Sequence, residues 1–196
     1  MKRKLELRDI AGYIPYAFKV QHQIPTSITI GELRVLGITK NSIVNSEFID
    51  AEYTVKSSDY ENDKLYVIKI KDTKPILRPL SDLYKTIKHN GKEVVPILEL
   101  AKIAYIDDEG IDLCNFILQK RDNNGQIYVS LKKDRFEFFY NDEWNMFYSY
   151  LNGEIYDVPN QYQLFDYLHE LKIDYRGLID DGLAVSVYDF ENEIYN

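Results

Sequence analysis

The chain has one cysteine, one tryptophan and no apolar run longer than a few residues. A lone Cys114 cannot close an internal disulfide, which points to a reducing compartment. Its setting, Ile111-Asp112-Leu113-Cys114-Asn115-Phe116, suggests a small core residue rather than a nucleophile. Apolar runs such as Val94-Val95-Pro96-Ile97-Leu98 fall far short of the roughly twenty residues a membrane helix needs. The start, Met1-Lys2-Arg3-Lys4-Leu5-Glu6, is basic but has no apolar stretch behind it, so no secretory signal is expected. Glycines do not cluster, which excludes a Walker loop and a G-x-G-x-x-G turn. H-E-x-x-H, paired C-x-x-C and G-x-S-x-G are missing as well. His22, His89 and His169 lie far apart and have no zinc-ligand spacing.

What is there is a globular composition. Apolar residues make up 45% and aromatics 14% of 196 residues, enough for a real core. Seventeen tyrosines favour strands, where the ring packs and the hydroxyl stays wet. Net charge is −8 and uneven. Residues 1–100 carry 16 Lys and Arg against 13 Asp and Glu, whereas residues 101–196 carry 8 against 19. An acidic second half disfavours broad contact with a phosphate backbone, which needs clustered cations.

The pattern changes at Pro75-Ile76-Leu77-Arg78-Pro79-Leu80-Ser81-Asp82-Leu83. Its two prolines hold the chain extended. Before it, Leu5 to Ala11 reads as a short helix, Gly12 to Tyr16 as a turn and Ala17 to Gln21 as a strand. Glu47 to Lys56 alternates, with Ile49, Ala51, Tyr53 and Val55 on one face, and Lys64 to Lys71 returns as its hairpin partner. After it, Leu80, Leu83, Tyr84 and Ile87 recur at helical spacing, with Ser81 or Asp82 near the cap and Asn90-Gly91 as the stop. Pro96 opens a second helix with Ile97, Leu98, Ala101 and Ala104 on one stripe, and Ile111 to Lys120 reads as a third. Strands follow at Ile127–Leu131, Arg135–Tyr140 and Trp144–Leu151, the last turning at Asn152-Gly153. Asn160 caps a helix striped by Tyr162, Phe165, Leu168 and Leu171 and widened by Leu164, and Leu183 to Val187 closes the chain as a strand.

Three groups of residues are candidates for function. The aromatic belt around Phe138, Tyr140, Trp144 and Tyr148 can serve as a protein interface if one sheet face packs inward and the other outward. Acids among these rings favour a basic or mixed partner. The N-terminal set Lys2, Arg3, Lys4, Arg8, Tyr13, Tyr16 and Lys19 is the alternative, a nucleic-acid contact of cations beside stacking rings. Asp107, Asp108, Asp180 and Asp181 form the third, since magnesium takes one or two carboxylates plus waters. Both acidic clusters precede a glycine, so turn chemistry is the stronger reading there.

Three blocks carry a resemblance. They are Arg8-Asp9-Ile10-Ala11-Gly12-Tyr13-Ile14-Pro15-Tyr16 with Lys19-Val20, then Leu77-Arg78-Pro79-Leu80-Ser81-Asp82-Leu83. The last is Phe165-Asp166-Tyr167-Leu168 running through Ile173-Asp174-Tyr175-Arg176-Gly177-Leu178-Ile179 to Gly182-Leu183-Ala184. As a set they resemble a family of uncharacterised proteins encoded by gut bacteria, their prophages and phages. The resemblance implies a protein of the bacterial cytoplasm, with a phage or prophage gene as one origin. It carries no catalytic residue over. Ala17 stands where relatives have glycine, and Lys172 where they often have histidine, which argues against a histidine mechanism there.

The expected fold is α+β, with antiparallel sheets and three to four helices packed on one face. It is read as one domain over 1–196, strand-rich over 1–79, helical over 80–121 and made of hairpins plus a helix over 126–196. The expected function is that of a small accessory protein acting by protein contact or self-association, without a cofactor. A nucleic-acid-associated protein and a magnesium-dependent enzyme are the alternatives.

Overall fold

Pro79 ends one compact unit of the chain and Leu80 begins another. The first unit combines residues 1–79 with 176–196, and the second is residues 80–175. The computed structural model describes residues 3–16, 19–24, 27–32, 38–39, 52–56, 65–69, 73–105, 113–121, 125–131, 136–158 and 160–191. The fold is α+β, as the sequence predicts.

In the first unit, a short helix α1 (Leu7–Ile10) runs into a 3-10 turn over Ala11–Tyr16. The Glu6 backbone N–H donates to Asp9 Oδ2 at 2.9 Å, closing a capping box that starts the helix. Strand β1 (Lys19–Ile24) pairs antiparallel with β2 (Ser27–Glu32) on one side and with β6 (Thr73–Pro79) on the other. Strands β3 (Ile38–Thr39), β4 (Glu52–Lys56) and β5 (Leu65–Lys69) form a second antiparallel sheet. The predicted hairpin is there, with Tyr53 opposite Ile68 and Val55 opposite Tyr66. Ile49, Ala51 and the connection 57–64 lie outside the described residues.

The C-terminal segment returns to this unit. Arg3 Nη1 donates to Asp181 Oδ2 at 3.0 Å and Arg176 Nη1 to the Arg8 carbonyl at 2.9 Å. Strand β15 (Val185–Ser186) then joins β6, Val185 opposite Ile76, and α4 (Tyr188–Glu191) follows. This pair is parallel, where the sequence predicts only antiparallel pairing. Its two strands lie about a hundred residues apart in the chain, and parallel neighbours cannot be joined by a tight turn, so no local signal announces it.

The second unit combines a five-stranded sheet, with helices on one face, and a separate two-stranded hairpin. Strands β7 (Ile87–His89) and β8 (Lys92–Val94) form a small hairpin. Helix α2 (Pro96–Ala104) follows, with Pro96 in its first turn as predicted and Ile97, Leu100 and Ala101 buried. Strands β9 (Phe116–Lys120), β10 (Ile127–Leu131), β11 (Phe136–Asn141), β12 (Met146–Leu151) and β13 (Glu154–Asp157) form an antiparallel meander in chain order. Helix α3 (Gln161–Leu171) packs beside α2, and the two-residue strand β14 (Ile173–Asp174) ends the unit. Asn160 sits at the predicted cap, but its Nδ2 donates to the Ile103 carbonyl at 2.9 Å and so ties α3 to the last turn of α2. Leu83, Ile97, Leu100, Val129, Phe138 and Phe147 share the core with Leu164, Leu168 and Leu171.

Four expectations for this unit are corrected. Leu80 to Ile87 is not an α-helix but a 3-10 turn over Leu80–Tyr84 followed by β7. Leu80 and Leu83 are three apart, a spacing that fits 3-10 and α geometry alike. Asn90-Gly91 is no helix stop. With φ of 49° and 76° it is the tight turn of the β7–β8 hairpin, the conformation that Asn-Gly favours. Residues 113–120 are a 3-10 turn over Leu113–Asn115 and then β9, because Phe116 to Lys120 finds a partner in Leu131 to Ile127. A short apolar run reads equally well as helix or strand until its partner is known. Tyr162 is 80% exposed, since it points away from the Leu164–Leu168–Leu171 stripe.

Candidate interaction surface

Alternation along β11 and β12 splits the aromatic belt in two. Phe136, Phe138 and Tyr140 point into the core, where the Phe138 ring stacks on Phe147 with centroids 5.6 Å apart. Glu137 and Phe139 point the other way, and register puts Phe139 opposite Tyr148 and Glu137 opposite Tyr150. Opposed residues on adjacent strands share a face. Phe139 and Tyr148 stack at 6.1 Å, and Trp144 meets Tyr148 edge-on at 5.7 Å. The interface expected from sequence therefore loses Phe138, which has no exposed surface, and Tyr140, which is nearly as buried. Tyr148 and Phe139 lie on the outward side of the sheet, but at 8% and 7% exposure they are buried too, so of the expected interface residues only Trp144 is exposed.

The β11–β12 turn is built to hold Trp144 outward. Asn141 Oδ1 accepts from the Trp144 backbone N–H at 2.9 Å. Asn145 takes a φ of 50°, and its Oδ1 accepts from the Tyr140 hydroxyl at 2.8 Å. Asparagine tolerates this left-handed backbone better than most residues. The Trp144 side chain, fixed at its backbone, stands 63% exposed. At the sheet edge, all four residues of β13 are exposed, with Ile155 at 64%. Ile155 lies opposite Tyr150, on the face that carries Tyr148.

The turn and edge strand around Trp144 are acidic. Residues 136–158 hold no lysine or arginine and five acids, Glu137, Asp142, Glu143, Glu154 and Asp157. Arg121 reaches the face from the end of β9, but its guanidinium pairs with Glu137 and lies over the rings of Tyr128 and Phe139 at 5.4 and 5.7 Å. Its charge is thereby taken up within the face.

Behind the same turn is a cleft of about 530 Å³, lined by Leu80, Tyr84, Gly125, Gln126, Ile127, Tyr140, Asn141 and Asp142. Burial, and then the Asp142 carboxylate, push the Tyr84 hydroxyl up from 10 to about 12. Burial pushes Tyr140 up more strongly still, helped by Tyr175 and Asp142.

Among the described residues, the other sequence candidates are not gathered into a site. Arg3 pairs with Asp9 and Asp181, and Arg8 with Glu6 at 2.8 Å. Tyr13 is fully buried and cannot stack on a base, Tyr16 is half-buried and Lys4 is exposed. Lys2 and the side chain of Lys19 lie outside the described residues. Asp107 and Asp108 do as well, while Asp180 and Asp181 sit exposed in a turn. Among the described residues, no group of three or more His, Cys, Asp or Glu is placed to hold a metal. His89 Nε2 lies 2.8 Å from Glu170 Oε1, and His169 Nε2 lies 2.9 Å from the Tyr175 hydroxyl. Cys114 is exposed rather than a core residue, because the segment expected to bury it in a helix is a 3-10 turn.

Sequence reasoning does not find Ile155 or the cleft, and it leaves open which side of Phe138-Phe139-Tyr140 faces inward. Counting back from the Asn152-Gly153 turn would have assigned Phe139 and Ile155 to the outward face. The cleft has no such signal, since Tyr84 and Asp142 are far apart in the chain. Comparison with known protein families, with curated proteins and with solved structures finds no match to this chain.

Proposed function

We propose that the chain is a small accessory protein that works by binding a basic segment of another protein. The outward face of the β9–β13 sheet, centred on Trp144, is the binding surface. The supporting observation is Trp144 itself, a large ring 63% exposed on a turn whose backbone N–H at Trp144 donates to Asn141 Oδ1, within a stretch whose charged residues are all acids. Exposed aromatics anchor protein interfaces, and the acids around the Trp144 turn favour a basic partner. No helix among the described residues is long and apolar enough to cross a membrane. Together with the lone cysteine and the family-like segments, this suits a role in the bacterial cytoplasm, in a phage or prophage setting.

Capture from host lysate by the full chain tests the reading. The expected result is one partner that wild type retains, that elutes as salt rises, and that Trp144→Ala with Ile155→Ser loses. A strictly monomeric protein that captures nothing, or a partner kept by the double variant, overturns it. Phe139 and Tyr148 stay in place in that variant, so its fold is checked by an unchanged melting temperature.

A further inference from the structure

We propose that β13, the open edge of the five-stranded sheet, takes up an extended basic segment of another protein as an added strand. This deepens the reading of a basic protein partner, on which it rests, by naming how that partner docks. Among the described residues no strand lies beyond β13, and all four of its residues, Glu154 to Asp157, are exposed. Its ladder to β12 runs without a bulge from Leu151–Glu154 to Tyr148–Asp157. On an edge strand, alternate residues turn their backbone groups away from the sheet. The two-residue Asn152-Gly153 turn closes on the Leu151–Glu154 pair, so Glu154 and Tyr156 are the residues whose backbone faces β12. The Ser149 hydroxyl, which donates to the Tyr156 carbonyl at 3.5 Å, agrees with that assignment. Ile155 and Asp157 therefore present their N–H and C=O groups to the open side. Edges are usually blunted by lysine, proline or a bulge. The opposite edge follows that rule, since β9 ends at Lys120 with Arg121 next, but β13 carries none of the three.

Charge along the edge identifies the occupant. Glu154 and Asp157 bound the strand, three residues apart and on opposite faces of it. The Tyr156 hydroxyl donates to Glu154 Oε2 at 2.6 Å and holds that carboxylate beside the edge. Between the two acids, Ile155 and Tyr156 are large and exposed. In strand addition, main-chain hydrogen bonds give affinity and the side chains give specificity. A strand with lysine or arginine at two positions three apart, and apolar residues between them, meets these four side chains in turn whichever way it runs. A second copy of this chain is a poor occupant, because it brings the same two carboxylates to the ladder and like charges on adjacent strands repel.

The full chain is titrated by calorimetry at low salt with the acetylated, amidated peptide Thr-Lys-Val-Val-Lys-Thr. Saturable binding that weakens as salt rises is expected, and none by Thr-Glu-Val-Val-Glu-Thr. The basic peptide with every amide N-methylated keeps its charges but cannot pair, and should lose at least about tenfold. On the protein side, Ile155→Pro removes one open-side N–H, in the orientation that edge strands tolerate. It should bind about fivefold more weakly than Ile155→Ser, which keeps that N–H, the usual net worth of one hydrogen bond. Both variants should melt as wild type does, and where Ile155→Pro does not, the N-methylated peptide alone decides. Absence of saturable binding, equal binding by the N-methylated peptide, or equal binding by the two variants overturns the proposal. So does a dimer of the full chain that Ile155→Pro dissociates, since a second copy then fills the edge. A partner captured from lysate through Trp144 and kept by Ile155→Pro sinks the added strand and leaves the sheet-face reading standing. Peptide binding as described, with no partner captured, sinks the sheet-face reading and leaves the added strand.

Discussion

Asp82 shows what one residue does when its helix is shorter than its sequence suggests. It is fully buried in the 3-10 turn, and Lys85 Nζ lies 3.3 Å from its Oδ1 and 3.1 Å from Ser81 Oγ. Removing a buried acceptor leaves its donors unsatisfied, whereas removing a solvent-exposed cation lets water replace it. Asp82→Ala should lower stability by about 1–3 kcal/mol and Lys85→Ala by less than about 1 kcal/mol, read as urea midpoints. Equal losses would mean that the ion pair, not the burial, holds the turn. Tyr84, two residues on, sets an alkaline limit. Its hydroxyl is raised from 10 to about 12 in the folded chain, so the fold holds that proton more tightly than the unfolded chain does. The stability this contributes is whole below pH 10 and is lost as pH rises from 10 through 12. Urea midpoints across that window should fall, and fall less steeply in Tyr84→Phe, which has no phenol proton to lose. Some slope should remain, because Tyr140 and Tyr167 are shifted in the same direction.

Among the secondary-structure elements, the two Asn-Gly dipeptides make the most informative comparison. Asn152-Gly153 reads as a hairpin and is one, with φ of 53° and 102°. Asn90-Gly91 reads as a helix stop and is a hairpin too. The local signal is the same, and only the meaning given to the flanking residues differs. Both turns hold two successive residues at positive φ, a conformation that a Cβ opposes. Nothing lies within 4 Å of a Cβ added at Gly91, so its substitution tests backbone strain alone. Gly91→Ala should cost about 1 kcal/mol, and Gly153→Ala a similar amount, by thermal melts. A neutral Gly91→Ala would show that the β7–β8 turn is not held in this conformation. The same elements explain what was legible at the candidate surface. Strand parity is visible in the sequence, but choosing the face needs the register, and one residue of shift exchanges Phe138 for Phe139.

For the molecule as a whole, the two units make different demands on the chain. The second is continuous, and its core draws only on residues between Leu80 and Tyr175. The first needs residues 176–191 to supply β15 and the Asp181 partner of Arg3. A fragment of residues 80–175 should therefore melt cooperatively and give dispersed amide resonances. A fragment of residues 1–79 should not. A disordered 80–175 fragment would show that its core is not sufficient for folding.

Local sequence is enough to establish the α+β class, the hairpins at Tyr53–Ile68 and Asn152-Gly153, and the helices at Pro96 and Asn160. Each rests on neighbours in the chain: alternation, a turn dipeptide, a proline in a first turn or a helical stripe. Only the folded chain makes Phe116–Lys120 a strand, lays β15 parallel to β6, and turns Phe139 rather than Phe138 outward. Only there do Tyr84, Tyr140 and Asp142 meet around one cleft. Those outcomes depend on partners distant in sequence, and burial and register are properties of the pair rather than of either segment.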